Sequence, residues 1–333
     1  MVRLGRRCLL LASAFSMLSL QGSFQGPAWA DDYPSKTTTI VVSIGAGTGM
    51  DVLARLYGEK LAQVLGYPVV VENKPGAATM LAAAHVASSP ADGYTLGVLT
   101  SSAMAINPSL YKHINYNPES DFTPIALYVK SPFILVANPN LPFKTVPEFI
   151  AYAKQAKPPL KYATVGAGTL QHLSMEFAKQ RFGFEAVHVP YRQTGQSVTD
   201  VVAGHIDASI VEAGASIPLI KEGKLRALAV TAAQRLPLLP DVPPFAEAAG
   251  VTDFEAVSWH VLLAPSKTPK AVVNRLHAEM KKIMSDPAMK EKAAAIGLIP
   301  IDTPSIDGIN DYMKAERAKW GALVEKLGMK GSQ

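Results

Sequence analysis

The strongest constraint on the fold is an alternation of strand-like and helix-like segments. In the first series the order is β-α-β-α-β, and its predicted strands span residues 39–44, 69–71 and 94–99. The helix after the first strand ends at Gly66, and the next helix spans 77–87. This order favours a mainly parallel sheet with helices on both faces, in which ligands bind outside the carboxyl ends of the strands.

A second series of the same kind follows the apolar residues 133–136. Thr145 and Glu148 form a capping box for its first helix. Its further predicted strands span 161–165, 186–189, 208–211 and 225–230. A chain of 333 residues with two such series exceeds a single hydrophobic core, so the sequence predicts two lobes.

Each series contains a glycine-rich turn between a strand and a helix. The first turn is Gly45-Ala46-Gly47-Thr48, and the second is Gly166-Ala167-Gly168-Thr169. Glycines let a ligand approach backbone N–H groups closely, and the start of a helix carries partial positive charge. Two such turns on opposite sides of one cleft would both donate to an acidic ligand, a phosphate or a carboxylate.

The N-terminal segment has the features of a secretory signal peptide. Three arginines precede an apolar run at 9–20, and Ala28-Trp29-Ala30 supplies the small residues of a cleavage site. This segment predicts export to the periplasm, with cleavage after Ala30. The adjacent Arg6 and Arg7 leave a twin-arginine signal as an alternative.

Composition excludes several classes of function. Cys8 is the only cysteine and lies in the predicted signal peptide, so the mature chain has no disulfide, thiol nucleophile or cysteine metal site. Without the three arginines of that segment the formal net charge falls from +5 to +2, which gives no basis for nucleic-acid binding. Hydrolase and zinc-protease motifs are absent. We therefore expect no enzyme, no metal site and no cofactor.

Short segments along nearly the whole mature chain match one family in order and spacing. They are YPSK (33–36), GTGMD (47–51), VVENKPGA (70–77), ADGYTL (91–96), INPSLY (106–111), HVPYR (188–192), GKLRALAVT (223–231), LPDVP (239–243) and SWHVLLAP (258–265). On these segments the chain resembles the periplasmic solute receptors of tripartite tricarboxylate transporters, also called Bug receptors. Ser43 and Ile44 stand where family members commonly have proline and an aromatic residue, so the identity of the carboxylate stays open.

The resemblance implies a two-lobed α/β periplasmic binding protein of the Venus flytrap type, each lobe a mostly parallel sheet flanked by helices. The predicted domains are a signal peptide (1–30), a first lobe (31–130 plus 260–333) and a second lobe (131–259). Such a receptor closes around a small carboxylate and delivers it to integral-membrane permease subunits. We expect it to be a monomer that binds no nucleic acid.

In this family, both turns grip one carboxylate through backbone groups and ordered water. Carried over to this chain, the resemblance assigns ligand contacts to Ile44, Gly45, Ala46, Gly47, Thr48 and Asp51 in the first lobe and to Gly166, Ala167, Gly168, Thr169 and His172 in the second. Ser101, Ser102, Tyr191, Arg192 and Glu212 complete the candidate set.

Some candidates have a second interpretation. Like charges repel, so Asp51 fits an N-cap or a partner for a ligand amine better than a carboxylate contact. His172 could cap or pack in its helix, and Arg192 could pair with a second ligand carboxylate or stay in solvent. Trp259, in an apolar run between the lobes, is predicted to be a core residue.

The alternative function is a secreted dinucleotide-dependent oxidoreductase that uses the Gly45–Gly49 turn. Residues 45–50 approximate G-x-G-x-x-G, and Glu72 ends the second strand, where a ribose-binding acid would lie. The sixth position is Met50 instead of glycine, however, and an exported protein would meet little nicotinamide cofactor.

Overall fold

The computed structural model describes residues 33–252 and 254–333, so the predicted signal peptide lies outside the described residues. The strands are β1 (Thr38–Val42), β2 (Val69–Asn73), β3 (Thr95–Thr100), β4 (Phe122–Ala137), β5 (Leu160–Thr164), β6 (Ala186–Pro190), β7 (Ala208–Glu212), β8 (Arg226–Val230), β9 (Val257–Pro265) and β10 (Ile299–Pro300). The helices are α1 (Gly49–Leu65), α2 (Met80–Ala87), α3 (Asn107–Leu110), α4 (Val146–Gln155), α5 (Leu170–Phe182), α6 (Thr194–Ala203), α7 (Ala213–Lys221), α8 (Phe245–Ala249), α9 (Lys270–Ser285), α10 (Pro287–Ala295) and α11 (Ile306–Lys326).

Two sheets are built around one long strand. The first sheet has the order β2-β1-β3-β9-β4, with β10 beside β4; β1, β2 and β3 are parallel, and β9 and β10 run antiparallel to their neighbours. The second sheet has the order β6-β5-β7-β4-β8, and β4 is antiparallel to both of its neighbours there. We call each sheet with its helices a lobe. The predicted two-lobed α/β fold is confirmed, but both sheets are mixed instead of mostly parallel, because β4 and β9 run antiparallel to their neighbours.

The lobes are joined by β4 and by a short return segment. Residues 122–132 of β4 pair with β9 in the first lobe, and residues 133–137 pair with β7 in the second. On the return, the Ala256 N–H still donates to the Thr231 carbonyl of the second lobe, and Val257 already pairs with Pro132 in the first. One hydrophobic cluster runs through both lobes, with Trp259 fully buried in it as predicted.

Helix ends follow the local sequence signals. The Thr145–Glu148 capping box is formed at the start of α4, as predicted, and Gly66 ends α1 in a left-handed conformation with φ of 77°. No helix within residues 33–252 and 254–333 is both long and apolar enough to cross a membrane.

The helix predicted for 77–87 begins later, at Met80. Ala77, Ala78 and Thr79 instead have φ values of 46°, 48° and 73°, so the chain makes a left-handed turn before the helix. The buried Asn107 amide donates to the Ala78 carbonyl at 2.9 Å and holds this turn from behind. The helical propensity of the alanine-rich run is overridden here by a tertiary contact.

Candidate functional site

A cleft of about 620 Å³ lies between the lobes at the carboxyl ends of the parallel strands. Both glycine-rich turns line it. The other walls are the left-handed turn, Tyr111 after α3, and the segment that leads into α6.

The first turn is closed by its own threonine and aspartate. The Thr48 hydroxyl donates to the Gly45 carbonyl at 2.9 Å and accepts from the Asp51 N–H, which makes Thr48 the N-cap of α1. The Asp51 carboxylate in turn accepts from the Gly47 N–H at 2.9 Å. Gly47 has φ of 79°, which suits glycine and few other residues.

The second turn repeats this arrangement. The Thr169 hydroxyl donates to the Gly166 carbonyl at 2.8 Å and accepts from the His172 N–H. His172 Nδ1 accepts from the Gly168 N–H at 3.2 Å, and Gly168 has φ of 81°. Two lobes with little other sequence likeness therefore present the same backbone turn at the start of a long helix.

The turns leave free backbone donors at the cleft. Among the described residues, none accepts a hydrogen bond from the N–H of Gly45, Ala46 or Ala167, and all three line the cleft. Because α1 and α5 begin beside them, the partial positive charge of two helix starts adds to these donors. An anion between the turns would meet N–H groups from both lobes.

The predicted site residues divide into two groups. Those that line the cleft are Ile44, Gly45, Ala46, Thr48, Gly166, Ala167, Thr169, Tyr191 and Arg192. Those that do not line it are the exposed Gly47 and the buried Asp51, Ser101, Ser102, Gly168, His172 and Glu212. The buried Ser101 hydroxyl pairs with that of Ser258 at 2.9 Å, and the Ser102 hydroxyl accepts from the Leu170 N–H across the lobes at 3.4 Å.

The expectation that Asp51 caps its helix is wrong, because Thr48 holds that position. Asp51 is buried, and its carboxylate accepts from Arg55 and Asn73, each at 2.9 Å. Burial raises the pKa of this carboxyl, but the hydrogen bonds from Arg55, Gly47 and Asn73 outweigh it and hold the pKa below its ordinary value. Asp51 thus supports the turn from behind.

Tyr191 and Arg192 lie where β6 leads into α6. The Tyr191 hydroxyl donates to Asp200, so this side chain is anchored within the second lobe. Arg192 is exposed on the cleft wall, and no carboxylate of the described residues pairs with it.

Sequence reasoning missed three parts of the cleft. These are the left-handed turn at 77–79 with the preceding Gly76, residues 194–195, and Tyr111. The Pro75-Gly76 dipeptide is a turn signal and could have indicated the first of them. Tyr111 ends the family segment INPSLY, but nothing in the sequence indicates that its hydroxyl donates to the Ala167 carbonyl of the other lobe, at 2.8 Å.

Glu212 lies behind the cleft, where the lobes meet. Its buried carboxylate accepts from the Ser131 hydroxyl at 2.6 Å and faces the first turn of α1 at Gly49. Burial raises its pKa, and the hydrogen bonds from Ser131 and Gly49 only partly oppose this. His260 Nε2 lies 3.9 Å away, and burial lowers the pKa of His260 to about 3, so this ring is neutral at neutral pH.

The raised pKa of Glu212 gives stability a definite pH dependence. A group whose pKa is higher in the folded state stabilises the fold while it is protonated. This contribution to stability is lost as the pH rises from the ordinary pKa of the carboxyl group, 4.5, through its pKa in the folded state. Glu212→Gln keeps an acceptor for Ser131 without a charge, so its stability relative to wild type should increase with pH. Urea unfolding at pH 4.5 to 8 measures this. Glu291→Gln, at an exposed position, is the control; parallel wild-type and Glu212→Gln curves would contradict the prediction.

The two-lobed α/β fold, with paired helix starts at one interlobe cleft, is that of a solute-binding receptor. The sequence model described as "Tripartite tricarboxylate transporter family receptor" matches residues 53–329. The chain belongs to this family, as the resemblance predicted.

Individual relatives agree with this assignment. Protein BugT of Bordetella pertussis is 33% identical over 306 residues, which cover 91% of this chain and 93% of BugT. The structure of R. palustris Rpa4515 with adipate superposes with a TM-score of 0.85 at 34% identity, over 89% of this chain and 99% of that chain. MatC of Rhodopseudomonas palustris with bound malate has a TM-score of 0.79 at 28% identity, over 88% and 100%.

The comparisons give the oxidoreductase alternative no support, since the family that the chain belongs to is described as a receptor family. Glu72, the expected ribose-binding acid, is exposed on β2 and forms an ion pair with Lys74 at 2.6 Å.

Proposed function

We propose that this protein is an extracytoplasmic receptor that binds a small carboxylate in the interlobe cleft without catalysing a reaction. The observation that carries the proposal is the pair of matching turns, one from each lobe, with free N–H groups of Gly45, Ala46 and Ala167 at one cleft. Two helix starts that face one cavity favour an anionic group.

The relatives support the carboxylate class. Adipate and malate, the ligands named with Rpa4515 and MatC, share a terminal carboxylate on a short carbon chain. In this chain we assign that carboxylate to the paired turns. We assign the remainder of the ligand to the left-handed turn and to Arg192, whose free guanidinium would pair with a second carboxylate.

The remaining proposals concern the setting of the receptor. The family supports delivery of the ligand to membrane permease subunits, and the N-terminal segment supports export to the periplasm with cleavage after Ala30. We propose a monomer that binds no nucleic acid. The sheet pairings support lobes close to the predicted ones, with the chain changing lobe at Pro132 and at Val257.

A thermal-shift screen of residues 31–333 tests the proposed function. The panel holds adipate, malate, citrate, aspartate and benzoate, with the uncharged diamide of adipic acid as the matched control. A true ligand at a hundredfold excess over Kd stabilises the native state by about 2.7 kcal/mol, and the diamide should give no shift. Stabilisation by NAD with no response to any acid would overturn the proposal in favour of the oxidoreductase.

A further inference from the structure

The two turns are built alike except for the side chain that closes each of them. In the first turn a carboxylate oxygen of Asp51 accepts from the Gly47 N–H at 2.9 Å. In the second the corresponding acceptor is the Nδ1 atom of His172, which accepts from the Gly168 N–H at 3.2 Å. The same structural role is thus filled by a group that is an acceptor at any ordinary pH and by a group that can lose its lone pair to a proton.

The hydrogen bond defines the protonation state of His172. A backbone N–H always donates, so Nδ1 must be unprotonated and the ring carries its proton on Nε2. Nε2 faces the Glu176 carboxylate at 3.9 Å. A doubly protonated ring would place an N–H against the Gly168 N–H, and this hydrogen bond would be lost.

The surroundings of His172 keep the ring neutral at neutral pH. The side chain is 8% exposed, and its ring stacks on that of His188 from β6, with centroids 4.2 Å apart. The Tyr162 ring from β5 is nearly parallel to both histidine rings, with its centroid 5.0 Å from that of His188 and 6.5 Å from that of His172. Burial and the neighbouring His172 lower the pKa of His188 to about 4, so His188 itself is uncharged above that pH.

Charged groups near His172 come from its own helix. Glu176 favours protonation of His172 and Lys179 opposes it, but the Glu176 carboxylate already accepts from Lys179 at 2.8 Å and from the Tyr162 hydroxyl at 2.6 Å. Burial is the largest influence, and the pKa of His172 is lowered from its ordinary value of 6.5. The first turn differs, because the pKa of Asp51 is also lowered and this leaves its acceptor charged in mild acid.

We propose that His172 is a positioning residue for the second turn. Its unprotonated Nδ1 holds Gly168 so that the turn presents its amides to the ligand. Protonation of this ring releases the second turn while the first stays formed. The position of His172 behind the cleft wall agrees with a role through Gly168 and not through direct ligand contact. Ligand would then be held more weakly in acid than at neutral pH.

Amide exchange tests the positioning role without any ligand. His172→Ala should lower the protection of the Gly168 N–H about tenfold, the effect of one hydrogen bond, whereas His172→Asn offers a carboxamide oxygen in the place that Asp51 fills in the first turn and should retain protection. The Gly47 N–H is the internal control and should not change. Equal protection of Gly168 in the two variants, or ring ¹⁵N shifts with the proton on Nδ1, would overturn the inference.

The affinity test rests on the proposed function and uses adipate as the probe. In isothermal titrations at pH 8, His172→Ala should bind about tenfold more weakly than wild type and His172→Asn within about threefold. Below pH 6.5 wild type should lose affinity relative to His172→Asn. Adipate itself also titrates in this range, but it does so equally in both titrations, so the ratio of the two affinities reports on the protein alone.

The direction of the pH effect distinguishes this inference from direct attraction of the ligand by a charged His172. A rise of wild-type affinity relative to His172→Asn in acid would show that an imidazolium attracts the ligand, and would overturn the proposal. His113→Asn, at an exposed position, should follow the wild-type pH profile. Failure of wild type to bind adipate would count only against adipate as the ligand, and the exchange experiment would still decide the role of His172.

Discussion

Gly168→Val is expected to weaken carboxylate binding by about a hundredfold. Gly168 has φ of 81°, and a Cβ atom there would lie 2.4 Å from Leu110 Cδ2 and 2.9 Å from Tyr111 Cε2. Both neighbours belong to the first lobe, and the Tyr111 hydroxyl holds the Ala167 carbonyl of the same turn. The substitution therefore strains the turn and pushes the lobes apart where they close on the ligand.

The expected loss of affinity in Gly168→Val follows from two energetic costs. A left-handed conformation costs an ordinary residue about 1–2 kcal/mol, and overpacking costs about 1–3 kcal/mol. Together these amount to about 3 kcal/mol, or about a hundredfold in affinity, which isothermal titration with the best acid of the panel would measure.

Two glycines serve as matched controls for Gly168→Val. Gly47→Val imposes a similar φ of 79° in the first turn but meets nothing within 4 Å, so it isolates strain from collision. Gly183→Val imposes φ of 67° at the end of α5, in open space and away from the cleft, and should lower stability without loss of affinity. Binding by Gly168→Val equal to that of Gly183→Val would remove the second turn from the site.

Gly214→Ala is expected to cause the largest loss of stability from a single added methyl group. Gly214 begins α7 of the second lobe, and a Cβ there would lie 2.4 Å from the Ile296 carbonyl oxygen of the first lobe. Backbone cannot swing aside as a side chain does. A Cβ at Gly297, next in the chain after Ile296, would lie 2.8 Å from the Gly214 nitrogen, so the backbone is tightly packed on both sides of this contact.

The added methyl group should separate the lobes where α7 meets Ile296. We expect the free energy of unfolding to fall by about 3 kcal/mol, the upper part of the range for overpacked sites. Chemical unfolding measures the loss, and small-angle scattering should show a larger radius of gyration than wild type. Gly58→Ala, a helical glycine whose nearest new contact would be 3.6 Å, is the control and should be neutral or stabilising. Wild-type stability in Gly214→Ala would show that the lobes do not touch there.

The predictions of local structure that were confirmed rest on residues close together in the sequence. Thr145 with Glu148 predicts a capping box, and Gly66 predicts the end of α1, because each acts on backbone groups within one helical turn. The paired glycine turns were predictable for the same reason. The family could be recognised because its short motifs keep their order and spacing along the chain.

The errors arose where distant residues decide the local structure. Asn107 holds the turn at Ala78, so α2 begins three residues after its predicted start. The role of Asp51 depends on Asn73 as well as on its neighbour Arg55, and no spacing rule relates Asp51 to Asn73. Glu212, a candidate for ligand contact, is the last residue of β7 and faces Ser131 and α1 behind the cleft.

The two α/β series, the glycine-rich turns and the family could be read from the sequence, because backbone geometry and hydrophobic period are properties of neighbouring residues. The pairs of groups that meet between the lobes follow from the tertiary structure alone: Tyr111 with Ala167, Gly168 with Leu110, and Gly214 with Ile296. These contacts join residues far apart in the chain, and they depend on how β4 carries one lobe against the other. That relative placement is set by packing over both lobes, which no local pattern encodes.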